Sequence, residues 1–484
     1  LVAVAQACSA LARNPLDPQA SVTAIHASRA RLQLRWGALP RSGVDVTRQP
    51  ALNCLLDMQL PHCDPLPGAT AFGSLLDQAQ EELTLLALHR HPAVVHTPPT
   101  PNDELLWLLA DHVATLRSAH RDAEAAQRGG AQAASDRLMV LAQALDALAW
   151  QAEFRFLYHP KRHLLHIGYR LDDQQLDTSF YDLLASESRS TSLFAMAKGD
   201  IPVRHWAALG RPFFGQGFHA VLRSWSGSMF EYLMPTLVMV EPFHSALGEA
   251  GRSALREHQA FVQRMKRGLG LAARVPWGIS ECAYAGRDHT LAYQYAPQGV
   301  PRLALRRAPA GELVIAPYAT ALATLVDVSA ACANFHSLAA LSARGRYGFY
   351  EALDFTPERQ THGQAFTLVS TYMAHHQGMT IVALANVLLD GVAQRWGAAH
   401  ARIEAMLPLL QERAPRELPA LVIAPPRQSL HLRQQKSPDT VRTVVPGTQF
   451  PEPTHLLSNG RYSVTVRANG AGWSRWNQTG ISRW

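Results

Sequence analysis

The chain has 484 residues, 47% of them apolar, so it is long enough to bury one large core or more than one domain. Its net charge of +7 comes from scattered arginines without a basic run, which argues against a nucleic-acid-binding protein. The five cysteines are odd in number and include no CxxC pair, which excludes a disulfide framework or a zinc site as the basis of the fold and favours a reducing compartment.

Residues 1–150 are predicted to be helical. The segment ASDRLMVLAQALDALAWQAEF has apolar residues at helical spacing, with Ser135 and Asp136 as the expected cap at its start. The preceding QRGGAQAAS is typical of a loop. We therefore predict an N-terminal helical region that leads into a larger domain.

Residues 151–415 combine long helical patterns with short linkers rich in Gly, Trp and Tyr. The stretch FRFLYHPKRHLLHIGY opens this region and predicts a hairpin that turns at Pro160 and Lys161. Four helical patterns follow, and each ends at or near a glycine, the usual signal for a helix C-terminus. Long helices that alternate with aromatic loops predict a mainly α fold of the α/α-barrel type, in which the loops at one end form a cleft.

The composition changes after residue 415. Residues 416–452 are rich in Pro, Gln and Arg and are predicted to be a linker. Residues 453–484 have strand-like runs and Asn-Gly turns, which predict the first strands of a separate, truncated β domain. Because the chain starts with Leu1 and stops within this pattern, we expect it to be a fragment. Its longest apolar runs are far shorter than the ~20 residues of a membrane helix, so no membrane segment is predicted in it.

Several acidic residues lie in these aromatic and glycine-rich segments, where a carboxylate is unusual. Glu281 is the clearest case, because it follows Trp277 and precedes Tyr284 in PWGISECAY. Cleavage of a glycosidic bond needs two carboxyl groups, and an apolar setting keeps one of them protonated near neutral pH. Aromatic faces stack on sugar rings. This combination predicts a carbohydrate-processing cleft.

Structural explanations compete with catalysis for the other acidic residues. Glu187 is predicted within a helix, where it could pair with Arg189. Glu231 is predicted at a helix start, where a carboxylate suits the helix dipole. Glu351 and Asp354 are three residues apart and would share one face of a helical turn, so sugar binding, catalysis and structural pairing all stay open for them.

Other catalytic classes have weaker support. His375 and His376 are adjacent, so on a helix they would point about 100° apart and make a poor metal pair, and no HExxH occurs. We predict no metal site, and expect a histidine here to contact a sugar hydroxyl or brace a carboxylate. A serine hydrolase is disfavoured because the chain has no GxSxG, and the cysteines are interpreted as small buried residues.

Several long motifs occur in order: TSFYDLLASESRSTSLFAMAKGDIPVRHWAALGRP, SWSGSMFEYLMP, VPWGISECAYAGRD, ELVIAPYATALATLVD, ARGRYGFYEALDFTPER and YMAHHQGMTIVALANVLLDG. Together they resemble the glucoamylase-like cyclization domain of bacterial cyclic β-1,2-glucan synthases, over roughly residues 150 to 415. The tail THLLSNGRYSVTVRANGAGWSRW resembles the start of the phosphorylase-like domain that follows in those synthases.

The resemblance implies an (α/α)6 barrel that converts linear β-1,2-glucan into rings by retaining transglycosylation, without a cofactor. It implies that the partners are the β-1,2-glucan substrate and the glucan-polymerising and phosphorylase-like domains of the same polypeptide. The substrate would be assembled on the cytoplasmic side of the bacterial inner membrane.

By the same resemblance, Glu281 is expected to be the nucleophile and Glu187 the acid/base. The residues expected to bind the sugar are Glu231, Glu351, Asp354, Trp225, Trp277, Tyr284, Tyr350, His375, His376 and Gln377. The alternatives are an endo-β-1,2-glucan hydrolase of the same fold and a non-catalytic glucan-binding domain.

Overall fold

The computed structural model of this protein describes most of the chain. The described residues are 1–36, 49–57, 69–88, 101–216, 219–270, 275–287, 292–306, 311–345, 347–360, 364–419 and 454–482. These ranges are mainly α-helical, with short β-segments between the helices. The prediction of a mainly α fold is therefore confirmed.

Fifteen α-helices lie within the described ranges. They are α1 (Val2–Leu11), α2 (Pro18–Trp36), α3 (Pro50–Asp57), α4 (Ala69–Leu88), α5 (Pro101–Gln127), α6 (Gly130–Gln151), α7 (Arg189–Lys198), α8 (Arg204–Ala208), α9 (Met229–Leu233), α10 (Ala246–Gly268), α11 (Pro317–Ala323), α12 (Val328–Ala340), α13 (Ala374–Leu388), α14 (Val392–Ala398) and α15 (Ala401–Glu404).

The strands in the same ranges are short, and their pairing is antiparallel. They are β1 (Tyr158–His159), β2 (Leu164–His166), β3 (Tyr169–Arg170), β4 (Gln175–Leu176), β5 (Phe180–Tyr181), β6 (Phe213–Gln216), β7 (His219–Leu222), β8 (Cys282–Arg287), β9 (Tyr293–Ala296), β10 (Val314–Ile315), β11 (Arg344–Gly345), β12 (Gly348–Phe349), β13 (Ala352–Asp354), β14 (Thr367–Val369), β15 (Thr454–Ser458), β16 (Tyr462–Arg467), β17 (Gly472–Trp476) and β18 (Thr479–Ser482). The small sheets have the orders β1-β2-β5, β10-β13-β14 and β15-β16-β17-β18, and the other strands form two-stranded ribbons.

Helix α6 starts earlier than predicted. It begins directly after Gly129, whose φ of 73° is left-handed backbone that suits glycine. The cap predicted at Ser135 and Asp136 was therefore wrong, and part of the predicted loop is helical. The Ser135 hydroxyl instead donates a hydrogen bond to the Ala12 carbonyl at 2.8 Å, so this side chain ties α6 to the end of α1.

Two further predictions concern the start of the next region. The hairpin is confirmed, because Tyr158 on β1 pairs with Leu165 on β2. The helix predicted around Glu187 is shorter than expected, since α7 begins only at Arg189. Glu187 therefore lies in the turn before α7, and its side chain does not belong to a face of that helix.

The buried apolar residues form two clusters. The smaller one lies among α2 to α5 and has Leu52, Leu76 and Leu109 among its least exposed side chains. The larger one extends from Leu165 to Leu410 and includes α7, α9, α10 and α11. The candidate site is built on elements that surround the larger cluster.

The C-terminal part of the description is a β meander. Strands β15 to β18 pair in sequence order, as expected from the two strand-like runs and their Asn-Gly turns. Most of the predicted linker at 416–452 lies outside the described residues. Among the helices described, none combines the length and apolarity needed to span a membrane.

Candidate active site

The backbone that carries Glu281 is held by its neighbours on two helices. Asn334 on α12 accepts from the Trp277 N–H at 3.0 Å and donates to the Trp277 carbonyl at 2.8 Å. The Tyr318 hydroxyl on α11 contacts the Ser280 hydroxyl at 2.7 Å and the Glu281 carbonyl at 3.0 Å. These bonds hold the backbone on either side of Glu281 and do not use its carboxylate.

A buried histidine joins two loops of the site. His258 on α10 is 0% exposed. Its Nδ1 accepts from the Ile279 N–H at 3.2 Å and its Nε2 donates to the Gly227 carbonyl at 3.1 Å. Burial lowers the pKa of His258 to about 3, so the ring is neutral and serves as a fixed bridge.

A buried arginine joins the turn before α7 to α9. Arg189 donates to the carbonyls of Ser186 at 2.8 Å, Glu231 at 2.6 Å and Tyr232 at 2.6 Å. It also forms an ion pair with Glu241 at 2.6 Å, and both side chains are almost fully buried. The guanidinium thus fixes the turn before α7 against α9.

Glu187 is therefore not the main carboxylate partner of Arg189. Its carboxylate receives a hydrogen bond from the Ser186 hydroxyl at 3.2 Å. Burial raises the pKa of Glu187, and the negative charge of Glu231 adds to this effect. The side chain is partly buried, so it is both accessible and poised to hold a proton.

Glu281 shares this electrostatic environment. Burial, followed by the charges of Glu187 and Glu231, raises the pKa of Glu281 to about 7. The nearby Tyr295 and the positive charge of Arg306 act in the opposite direction and lower this pKa. Of the predicted carboxyls, Glu187 thus lies close enough for its charge to raise the pKa of Glu281.

Glu231 has a different environment, and it lies in the first turn of α9, in agreement with the predicted helix start. It is 5% exposed, and its carboxylate accepts from the N–H groups of Ser226 and Ser228, each at 2.9 Å, and from the Ser224 hydroxyl at 2.9 Å. Ser228 and Glu231 form a reciprocal capping box. Its oxygens are occupied by protein donors, so Glu231 organises the SWSGS loop and adds a fixed negative charge beside the pair.

Glu351 is paired with His376, which the sequence analysis also expected to bind the sugar. Its Oε1 accepts from the Ala283 N–H at 3.0 Å, and its Oε2 accepts from His376 Nδ1 at 2.9 Å. Both side chains are about 1% exposed. The His376 ring stacks on Tyr318, with 3.8 Å between centroids and 11° between planes. One of the two adjacent histidines therefore braces a carboxylate, as the sequence analysis expected.

Asp354 does not share a helical turn with Glu351, because it ends strand β13. It is 0% exposed, and its oxygens accept from Arg359 at 2.7 Å and from the Ala285 and Thr356 N–H groups, each at 3.0 Å. Arg359 also lies over the Tyr284 ring, 4.7 Å from its centroid. In this structure Asp354 is a scaffold residue beside β8.

The remaining predicted residues differ in exposure. Trp225 is 58% exposed, and its carbonyl accepts at 3.0 Å from the N–H of Arg306, whose charge acts on Glu281. Trp277 is half-buried and packs against the larger apolar cluster. His375 is exposed, with its ring 4.0 Å from that of His376. These contacts favour Trp225 over Trp277 as a surface for stacking a sugar ring.

A pocket lies beside the histidine pair. Its lining residues are Pro317, Tyr318, Phe335, Phe349, Tyr350, Glu351, His376, Gln377 and Thr380. Four predicted sugar-binding residues, Tyr350, Glu351, His376 and Gln377, therefore come together. Within the described ranges, no group of three or more His, Cys, Asp or Glu is arranged to hold a metal ion.

Sequence reasoning missed several residues of the site. Tyr181 and Tyr295 face the two central carboxyls, and Arg306 contributes the nearby positive charge. Tyr295 was visible only as part of the aromatic stretch YQYAPQG. Its role depends on the β8–β9 pairing, in which Tyr295 lies opposite Ala283, on the same face as Glu281.

The geometry suits acid–base and nucleophilic chemistry at a sugar bond. Two partly buried carboxyls with raised pKa values can hold one proton between them near neutral pH. One can then donate a proton to a leaving oxygen while the other attacks as an anion.

Comparisons with known proteins identify relatives of this chain. A family model described as "Putative glucoamylase" matches residues 179–400. The cyclic beta-(1,2)-glucan synthase NdvB of Rhizobium meliloti is 45% identical over 360 residues, which are 74% of this chain and 12% of that protein. The chain thus spans about an eighth of the length of this relative.

Two solved structures, each described as a "putative glucoamylase", are also similar to this chain. The protein from Bacteroides caccae has a TM-score of 0.43 at 15% identity and covers 57% of this chain and 66% of its own. The protein from Bacteroides fragilis has a TM-score of 0.43 at 16% identity, with coverages of 82% and 97%. The likeness rests on the two sequence matches: residues 179–400 match a glucoamylase-like family model, and 74% of this chain is similar to part of a cyclic β-1,2-glucan synthase.

Proposed function

We propose that this chain cyclises linear β-1,2-glucan by retaining transglycosylation. The observation that carries the proposal is that two partly buried carboxyls, Glu187 and Glu281, both have raised pKa values, with the charge of Glu187 acting on Glu281, in a chain similar to NdvB. The proposal includes an (α/α)6 barrel for residues 151–415 and, as partners, polymerising and phosphorylase-like domains of the same polypeptide on the cytoplasmic side of the inner membrane.

In the proposed reaction, the ionised Glu281 attacks the anomeric carbon and forms a glycosyl ester. Glu187 donates its proton to the leaving glycosidic oxygen. The chain's own non-reducing end then enters as acceptor. Glu187 removes the hydroxyl proton of that end as the new bond forms, which releases a ring and restores both carboxyls.

Ring closure requires that a glucan hydroxyl reaches the ester before water does. Aromatic surfaces that hold the glucan raise the effective concentration of its end at the ester. Trp225 is 58% exposed, and the Arg306 that binds its carbonyl acts on Glu281, so we expect Trp225 to be the stacking surface of the predicted set. We expect Trp225→Ala to increase the ratio of linear to cyclic product severalfold, because a lost stacking contact weakens acceptor binding by about 1 kcal/mol. Chromatography of the products measures this ratio, and an unchanged ratio would contradict the role of Trp225.

The first test is product analysis after incubation with linear β-1,2-glucan. Rings support the proposal, and new reducing ends without rings identify an endo-hydrolase instead. We expect Glu281→Gln and Glu187→Gln each to lower turnover by about 10³-fold or more. The control is Glu404→Gln, an exposed glutamate on α15. Full retention of glucan binding with no turnover in any form would identify a non-catalytic binding domain.

The pH dependence of kcat/KM tests the two roles. If Glu281 attacks as an anion, kcat/KM should rise with pH through about 7, the pKa of Glu281 in the free protein. If Glu281 is instead the proton donor, kcat/KM should fall through the same pH, and the assigned roles of Glu281 and Glu187 would be exchanged.

A further inference from the structure

Three buried side chains from different elements connect two points of the backbone next to Glu281. Tyr318 on α11, His376 on α13 and Glu351 directly before β13 are each at most 4% exposed. The Tyr318 hydroxyl is 3.0 Å from the Glu281 carbonyl, and its ring stacks on that of His376, with 3.8 Å between centroids. His376 Nδ1 is 2.9 Å from one Glu351 oxygen, and the other oxygen accepts from the Ala283 N–H at 3.0 Å. We refer to Tyr318, His376 and Glu351 as the clamp.

One assignment of hydrogens satisfies the polar atoms of the clamp. The Glu351 carboxylate only accepts, so the imidazole hydrogen lies on His376 Nδ1. The Glu281 carbonyl also only accepts, so the Tyr318 hydroxyl donates to it. The Ser280 hydroxyl, 2.7 Å from the Tyr318 oxygen, then donates to that oxygen. None of these hydrogen bonds uses the Glu281 carboxylate.

The backbone is held on both sides of Glu281. The clamp binds the carbonyl of Glu281 and the N–H of Ala283, which belong to the two peptide groups that follow the Glu281 α-carbon. On the preceding side, the Ser280 hydroxyl accepts from the Phe230 N–H on α9 at 3.0 Å. Because these bonds fix the peptide groups around one α-carbon, they also fix the direction in which its side chain leaves the backbone.

His376 and Glu351 have few polar atoms left for direct contact with a sugar. Their side chains are 2% and 1% exposed. Both Glu351 oxygens and His376 Nδ1 are engaged within the protein. The other ring nitrogen, Nε2, lies 3.5 Å from the Tyr295 hydroxyl, which is long for a hydrogen bond. Burial and hydrogen bonding therefore suit these two side chains to a role that acts through the backbone of Glu281.

We propose that Tyr318, His376 and Glu351 are positioning residues that hold Glu281 for attack on the anomeric carbon, an inference that rests on the proposed function. A reacting group displaced by about 1 Å can lose up to ~100-fold in rate. The clamp therefore acts on the catalytic step, and its loss should lower kcat without a matching rise in KM.

The first test is Tyr318→Phe in the intact chain, with all products from linear β-1,2-glucan counted, cyclic and linear. The substitution keeps the ring that stacks on His376 and removes only the hydroxyl that bonds to Glu281. We expect kcat to fall about 10- to 100-fold and KM to change less than about twofold. The matched control is Tyr158→Phe on β1, which loses a hydroxyl contact with His163 at 2.9 Å and should keep its kcat. A kcat equal to that of this control would overturn the clamp.

A pair of substitutions at His376 tests the internal hydrogen bond of the clamp. His376→Asn retains an amide N–H donor toward Glu351, whereas His376→Leu has none. We expect kcat within about fivefold of the parent for His376→Asn and a loss of at least ~20-fold for His376→Leu. Both are measured where thermal unfolding shows a folded chain, and Tyr318→Phe decides the matter if His376→Leu does not fold. Equal kcat in the two variants, or a rise in KM alone, would overturn the positioning role.

Amide exchange without substrate separates this inference from the proposed function. In Tyr318→Phe, the amides of residues 277–285 should exchange about threefold to tenfold faster than in the parent chain, because a buried hydrogen bond is lost. The amides of α2, which packs in the other apolar cluster, should be unchanged. Unchanged exchange at 277–285 in a chain that cyclises glucan would overturn the clamp alone. Faster exchange in a chain that does not act on glucan would refute the proposed function and retain the clamp.

Discussion

At the scale of single residues, two neighbouring glutamates show how environment decides the role of the same side chain. Glu231 has its oxygens filled by serine donors, which stabilises the carboxylate. Glu281 has fewer donors and feels the charges of Glu187 and Glu231, which disfavours its carboxylate. A partly buried acid whose charged form is disfavoured lowers the stability of the folded protein, as is common at active sites.

Glu281→Gln should therefore stabilise the folded protein at high pH. The folded-state pKa of about 7 lies above the ordinary value of 4.5, so the wild type loses stability as pH rises from about 4.5 through about 7. The amide cannot ionise and avoids this loss. After allowance for solvent screening, we expect a gain on the order of 1–2 kcal/mol at pH 8 and none at pH 4. Urea unfolding at both pH values measures the difference, and equal stabilities at pH 8 would contradict the raised pKa.

Glu231→Gln should have the opposite effect. The amide replaces one accepting oxygen with a donor group, which then faces the N–H and O–H donors of Ser224, Ser226 and Ser228. We expect a loss of roughly 2–4 kcal/mol at pH 8, together with reduced turnover, because buried charge-assisted hydrogen bonds are broken. The same urea series measures it, with Glu404→Gln as the exposed control. A variant as stable as that control would show that the cradle contributes nothing.

At the scale of elements, the site depends on loops that cross at close range. The loop that cradles Glu231 passes against the segment after β9, where Val300 N–H donates to the Gly227 carbonyl at 3.0 Å. At Gly299 an added Cβ would lie 1.9 Å from the Ser226 carbonyl oxygen, which is too close for any side chain. His258 fastens the other side of the same loop to Ile279. These contacts therefore tie the short loops that carry Glu231 and Glu281 to one another.

Gly299→Ala should disturb this crossing. The methyl group forces the Ser226–Gly227 backbone away and misplaces the donors to Glu231, so we expect a destabilisation of about 1–3 kcal/mol and a clear loss of kcat. Gly268→Ala at the end of α10 is the control, because an added Cβ meets nothing within 4 Å there. Thermal unfolding and turnover of both variants check the prediction. If both variants had the same stability and turnover, the loop backbone would be able to move aside for the methyl group without cost.

At the scale of the whole molecule, the two apolar clusters separate the site from the N-terminal helices. The cluster of α2 to α5 contains none of the residues assigned to the site. The larger cluster packs against Trp277 and Tyr284 and supports α9 and α11. Damage to one cluster should therefore have a different functional result from equal damage to the other.

Leu109→Ala and Leu322→Ala test this separation with one chemical change. Both leucines are at most 1% exposed, so each variant should lose about 2–5 kcal/mol in its own cluster. We expect Leu109→Ala to retain kcat at temperatures where the chain stays folded. Leu322→Ala on α11, the helix that carries Tyr318, should lower kcat as well. Thermal unfolding combined with activity distinguishes them, and an equal loss of kcat would contradict the separation.

Local patterns were enough to predict much of the fold. The long helix α10, the first hairpin and the helix start near Glu231 depend on neighbours in sequence. They were predicted from helical periodicity, from turn residues and from the fit of a carboxylate to a helix dipole. The extents of α6 and α7 were mispredicted because glycine at a helix start and a turn before Arg189 give no strong local signal.

What the sequence by itself determined is the set of acidic and aromatic residues from which a sugar site can be built, together with the family likeness carried by their motifs. Only the tertiary structure decided which of these groups meet: Arg189 with Glu241 rather than Glu187, and Glu281 with Tyr295. The physical reason is that ionisation and hydrogen bonding depend on burial and on contacts between residues far apart in the chain, which no local pattern encodes.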